Sequence, residues 1–282
     1  MAVEERKIEV DALLTRYLTA GEGAPLVLLH ALGESVLDWQ WVLSALARSY
    51  RVYAPDLPGF GGSAKPVADY SPAFFARFAA AFLDALEIEH SAVAGNSLGG
   101  LVALRLALSE PERVSALCLI DSVGLGREAS WALRLATIPG SGDMAALWSK
   151  TPLGATQRAW LTAQLLFARP ECAPAGWMKE QYRLAQLPGF LEAALAALRA
   201  QLDLRGQREV LLDQLPRLEI PTLIVWGESD RILPVSQARE AVARLKQGSL
   251  ELIPDCGHLP QVEQPDHFVG VLSRFLDEQA HH

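Results

Sequence analysis

The chain reads as an α/β protein: a mostly parallel sheet flanked by helices, with a helical segment inserted near its middle. Three observations support this. Six short apolar runs recur along the chain, several amphipathic or apolar helical stretches alternate with them, and one long stretch breaks the alternation. Continuous apolar runs, as opposed to alternating ones, fit strands covered on both faces. Alternation of strand and helix fits right-handed parallel crossovers.

The elements follow in order. The front, near IEVDALLTRYLTAGEG, reads as an antiparallel hairpin at a sheet edge. The buried strands are LVLLH (26–30), RVYAPD (51–56), SAVAGN (91–96), SALCLID (115–121), TLIVWG (222–227) and SLELIP (249–254). SPAFFARFAAAFLDALE (71–87) opens like a helix, with a serine cap and a proline in the first turn. LGGLVALRLALS (98–109) is a second helix, stopped by Pro111, and PDHFVGVLSRFLDEQ (265–279) closes the chain as a third. Residues 124–210 lack any strand-like run and carry Pro139, Pro152, Pro170 and Pro188. That length far exceeds one crossover. It predicts several helices forming a cap, with the sheet domain made of 1–123 and 211–282.

Composition narrows the function classes. The 282 residues are 50% hydrophobic and carry a net charge of −8. Nucleic-acid binding usually needs a basic patch, and none is visible. Cys118, Cys172 and Cys256 are too far apart for a disulfide framework or a zinc pattern. The charged start, MAVEERKIEV, does not resemble a signal peptide, and no apolar run is long enough to span a bilayer. The expectation is a cytoplasmic protein without nucleic-acid or membrane partners. His281 and His282 are set aside as a tail.

Candidate chemistry begins at VAGNSLGG (93–100), where Gly95, Gly99 and Gly100 crowd Ser97. Gly95-Asn96-Ser97-Leu98-Gly99 matches G-x-S-x-G, and it sits between a strand and a helix, as a nucleophile elbow requires. The helix N-terminus that follows favours a developing anion. A serine hydroxyl needs a base to become a nucleophile. Among six histidines, His258 in IPDCGHLP lies on the loop after the last strand, at the same sheet edge as Ser97. The acid should end an intervening strand: Asp230 is the choice, Glu228 the fallback and Asp121 a weaker candidate, while Asp56 reads as a turn residue. The acid would fix the His258 tautomer and stabilise its imidazolium. Oxyanion donors are expected from the N–H of Leu98 and from the loop HALG (30–33), at Leu32.

With these motifs in place the chain resembles the α/β-hydrolase superfamily, in particular its capped serine hydrolases with a G-N-S-x-G-G elbow. HALG, YRVYAPDLPGFGGS (50–63), GNSLGG, WGESDRILP and CGHLPQVEQP carry the resemblance, which covers nearly the whole chain. It departs where the usual H-G-x-G loop has Ala31. The resemblance implies catalysis by Ser97, Asp230 and His258 without cofactor or metal. Similar elbows occur in esterases and in hydrolases that cleave C–C bonds of aromatic ring-cleavage products. The C–C enzymes add an Asn, a cap Arg beside an aromatic, and a Trp after the histidine. Here those positions hold Trp41, Gln181 (before Tyr182) and Leu259. Without the arginine a dienoate carboxylate loses a bidentate partner, so cleavage of a small apolar ester is the first expectation and C–C cleavage the alternative. Trp41, Asn96 and Leu259 are expected to contact substrate, with Trp39, Trp131 or Trp177 as further candidates for an apolar acyl pocket. Some proteins resembling this one use the same pocket as a small-molecule receptor, which is a third reading. GLGREA (124–129) imitates a dinucleotide-binding turn, but no second strand follows it.

Overall fold

The computed structural model describes residues 2–279, so His281 and His282 lie outside the described residues. Strand β1 (Glu4–Val10) and β2 (Leu13–Ala20) form the expected edge hairpin. Its two turn residues, Asp11 and Ala12, both have positive φ, the backbone that matches strand twist in a two-residue loop. Next come β3 (Ala24–Leu29), α1 (Gln40–Leu46), β4 (Tyr50–Pro55), α2 (Pro72–Ala85), β5 (Ser91–Asn96), α3 (Leu98–Ser109) and β6 (Val114–Ile120).

Five helices then interrupt the sheet's connectivity: α4 (Trp131–Ala136), α5 (Ser141–Ser149), α6 (Pro152–Leu166), α7 (Ala175–Ala185) and α8 (Phe190–Gln201). This insertion also holds β7 (Leu202–Asp203) paired with β8 (Gly206–Gln207), a correction to the expectation of no strand there. Two residues per strand leave no periodicity to read. The chain re-enters the sheet with β9 (Thr222–Gly227), then runs through α9 (Ser236–Val242), β10 (Gly248–Ile253), α10 (Pro260–Glu263) and α11 (Pro265–Gln279). No helix among the described residues is long and apolar enough to cross a membrane.

The strand order is β1-β2-β4-β3-β5-β6-β9-β10. Pairing is antiparallel at β1/β2 and β2/β4 and parallel from β4 onward. Alternate strand residues feed two cores. Val27 and Leu29 pack with Phe75, Phe82 and Leu101 of α2 and α3. Leu26 and Leu28 pack with Val42 and Leu43 of α1 and Phe268 and Leu272 of α11. Covering on both faces is why these strands read as unbroken apolar runs. The Ser71 hydroxyl accepts from the Phe74 N–H at 3.1 Å, with Pro72 in the first position of α2, as expected.

The turn after β4 is built around one carboxylate, confirming the structural reading of Asp56. Fully buried, it accepts from Val36 N–H (2.7 Å), Gly62 N–H (2.7 Å) and the Arg16 guanidinium (3.2 Å). His30 works beside it. Its Nδ1 donates to the Ala31 carbonyl at 2.8 Å and its Nε2 accepts from Leu57 N–H at 2.9 Å. Burial lowers the His30 pKa, which keeps the ring in this neutral tautomer. Together these bonds pin loop 30–36 against the β4 turn. Asp56→Ala is expected to cost about 3 kcal/mol or more, because it leaves the buried Val36 N–H without its acceptor and takes from the buried Arg16 guanidinium its one buried carboxylate partner. Denaturant midpoints at constant slope measure this; a loss below about 1 kcal/mol would show the loop is held otherwise.

Candidate active site

Ser97 joins β5 to α3 with φ 54 and ψ −112, a sparsely populated conformation for a residue with a side chain. Its N–H donates to the Ile120 carbonyl at 2.9 Å, and its own carbonyl accepts from Leu101 and Val123. These bonds hold the strained turn. The surrounding glycines serve close approach rather than unusual dihedrals. A Cβ on Gly95 would collide with the Gly99 carbonyl, and one on Gly99 with the Leu29 carbonyl. Leu98 occupies the first position of α3, where a helical N–H has no acceptor within the helix.

Asp230 and His258 arrive from the loops after β9 and β10. His258 Nδ1 lies 2.7 Å from Asp230 Oδ2, and both side chains are buried. The other Asp230 oxygen accepts from the N–H groups of Ile232 (2.6 Å) and Leu233 (3.2 Å). The carboxylate is thus aimed at the imidazole by its own loop. Glu228, the fallback, is exposed. Asp121 ends β6 nearby and accepts from Gly227 N–H at 2.9 Å. Burial, then the adjacent Asp230 charge, push its carboxyl well above the usual range. Its bond to Gly227 buttresses β9. Asp121, Asp230 and His258 place potential ligand atoms within 4.8 Å of one another.

Ser97 and His258 open into one cavity of about 320 Å³, together with Leu32 and Gly33 of the loop after β3. Its walls are mainly alanine and leucine from the insertion, such as Leu133, Leu165 and Leu195.

Three expected substrate contacts are not on that wall. Asn96 is a strut: its Nδ2 donates to the carbonyls of Ile120 (3.1 Å) and His258 (3.0 Å), and its Oδ1 accepts from Gln261 (3.3 Å). Leu259 is fully buried in a separate cluster with Phe167, Trp177 and Val262, against which Trp41 packs. The other candidate tryptophans are not on the wall either. Trp39 is buried against Phe268, Trp177 against Phe167, and Trp131 is exposed.

Sequence reasoning missed Arg158 and Glu34, both on the cavity wall. Arg158 is the sole charge in α6, next to the buried Ala159. A lone charge bordering the buried face of a helix was the available signal. The insertion is fastened to the site through its main-chain carbonyls: His258 N–H donates to that of Leu166 at 2.7 Å, and the Arg231 guanidinium to that of Gln164 at 2.8 Å.

Comparison with known proteins agrees with this architecture. Residues 24–265 match the family described as alpha/beta hydrolase fold. The chain is 32% identical over 282 residues to 2-hydroxymuconate semialdehyde hydrolase of Pseudomonas sp. (strain CF600), covering 97% of this chain and 94% of the relative. Among solved structures it resembles a membrane phospholipase A described as a bacterial virulence factor, with a TM-score of 0.82 and 30% identity over 99% of this chain and 87% of the other. It also resembles CarC, a serine hydrolase involved in carbazole degradation, with a TM-score of 0.81 and 28% identity over 98% of this chain and 99% of the other. A family match across most of the chain, on a sheet whose strand ends gather Ser97, Asp230 and His258, makes this protein a member of the α/β-hydrolase family.

Proposed function

We propose that the protein is a serine hydrolase that cleaves a small carboxylic ester through an acyl-enzyme, with Ser97 as nucleophile, His258 as base and Asp230 as its orienting acid. The observation that carries this reading is the 2.7 Å Asp230–His258 bond, with that imidazole and the strained Ser97 opening into one apolar cavity. With Nδ1–H held by Asp230, Nε2 is the free base that takes the Ser97 proton. The serine oxygen adds to the ester carbonyl. The oxyanion forms against the N–H groups of Leu98 and Leu32, each such donor contributing about 3 kcal/mol to the barrier reduction. His258 protonates the departing alcohol, and water, deprotonated by the same ring, releases the acid. The alanine and leucine walls suit an aliphatic acyl chain.

Cleavage of a C–C bond in a dienoate is the second reading, and Arg158 favours it. The position expected to hold a cap arginine carries Gln181, yet Arg158 of α6 reaches the same cavity and donates to Gln181 Oε1 at 3.0 Å. A guanidinium is therefore available to a substrate carboxylate after all. A panel of aliphatic p-nitrophenyl esters and dienoate ring-cleavage products separates the readings. The expected outcome is higher kcat/KM on the esters. A dienoate preferred by about 100-fold or more would install the second reading. Tight binding of either class without turnover would instead mark a receptor.

A further inference from the structure

Arg158 and Glu34 both line the cavity, yet they do not pair directly. Arg158 makes no ion pair among the described residues. Its Nη1 donates to Gln181 Oε1 at 3.0 Å and to the Gln181 carbonyl at 3.3 Å, and its guanidinium carbon lies 5.5 Å from the centre of the Phe190 ring. Gln181 is fully buried and passes the contact on: its Nε2 donates to Glu34 Oε2 at 2.5 Å. Glu34 in turn sits beside Asp38, both 1% exposed, and neither Asp38 oxygen has a hydrogen-bond partner. The row Asp38, Glu34, Gln181, Arg158 thus runs from the loop after β3 to two helices of the insertion.

Arg158 is half-buried, and a cation withdrawn from water is costly in proportion unless something neutralises it. Neither carboxyl does so fully. Burial, opposed by Asp38, Arg158 and Gln181, pushes Glu34 up to about 7. Burial and the nearby Glu34 push Asp38 well above the carboxylate range. Below neutrality the pair is therefore largely protonated. The remaining charged groups around it are engaged elsewhere. Glu180 of α7 accepts from the Ser35 hydroxyl at 2.7 Å and from Arg183 at 2.6 Å, and Asp56 is bound to Arg16 at 3.2 Å.

We infer that Arg158 and Glu34 form a subsite for an anionic substituent of the substrate, with Glu34 as the positioning residue whose charge sets the subsite's affinity. When Glu34 is neutral, it orients Gln181 and leaves the Arg158 charge to the substrate. When Glu34 ionises, its carboxylate competes for that charge through the 2.5 Å bridge and repels the incoming anion. The substrate class is an acyl compound bearing a carboxylate or phosphate on the part that reaches Arg158. This rests on the cavity being the substrate site.

Monomethyl adipate and dimethyl adipate form a matched pair, one anionic and one neutral. Calorimetric binding to the Ser97→Ala protein avoids turnover, so failure of the serine mechanism would show separately, as activity surviving in that variant. From about pH 6 to about pH 8, either side of the Glu34 value of about 7, affinity for the monoester is expected to fall about tenfold, within the usual range of site–site coupling. The diester should show no such fall. Adding Glu34→Gln should flatten the monoester profile, and adding Arg158→Met should erase the preference for the monoester. In the Ser97-intact enzyme the monoester/diester ratio of kcat/KM should fall over the same interval through KM. The triad's own protonation acts on both esters and cancels in that ratio. Equal binding of both adipates across the interval would overturn the inference without any further variant. So would a tenfold fall persisting in Glu34→Gln.

Discussion

Replacing Ser97 with alanine is expected to reduce kcat on ester substrates by about 10⁶-fold, the scale of loss when a triad nucleophile is removed. The reason is local. The strained backbone at Ser97 is held by bonds to Ile120, Leu101 and Val123 that use only its N–H and carbonyl. Alanine keeps those bonds and occupies the same small space among Gly95, Gly99 and Gly100. Only the hydroxyl is lost. Steady-state kinetics with a melting curve on the same preparation test this. Retention of kcat within about tenfold by a folded variant would remove Ser97 from the chemistry.

Asp230→Asn is the second large effect, expected at about 10⁴-fold in kcat. An amide can still accept from Ile232 and Leu233 through its oxygen, so the loop geometry survives. Its NH₂ would then face His258 Nδ1 and donate to it. That forces the proton onto Nε2, where the base is needed. Asp121 beside it cannot substitute, because its carboxyl is committed to the Gly227 N–H. Glu228→Gln, on an exposed side chain of the same loop, should change kcat less than twofold, roughly the scatter of a surface substitution. Comparable losses in both variants would mean that the loop, rather than the Asp230 carboxylate, matters.

The sheet was legible because each strand is short, apolar and flanked by turns, and because its two-sided burial leaves a strong signal. The six expected strands all appear, within one or two residues of their expected ends. The meeting of Asp230 and His258 was legible for a related reason: both follow strands on one edge of a parallel sheet, where the chain must turn. The cavity wall was not legible. Trp41 and Leu259 are apolar and near His258 in sequence or fold, yet they point into a cluster under Phe167. Helical faces in the insertion are chosen by packing between helices, and a sequence of alanines and leucines offers several equivalent faces. Arg158 illustrates the same limit. It reaches the cavity beside Gln181 from a different helix, which spacing along one chain does not reveal.

The most direct test is labelling with a fluorophosphonate, which reacts only with an activated serine, followed by peptide mapping. The adduct is expected on the peptide carrying Ser97, and it should disappear in His258→Ala. An adduct on any other serine, or undiminished labelling after the histidine is removed, would contradict the account.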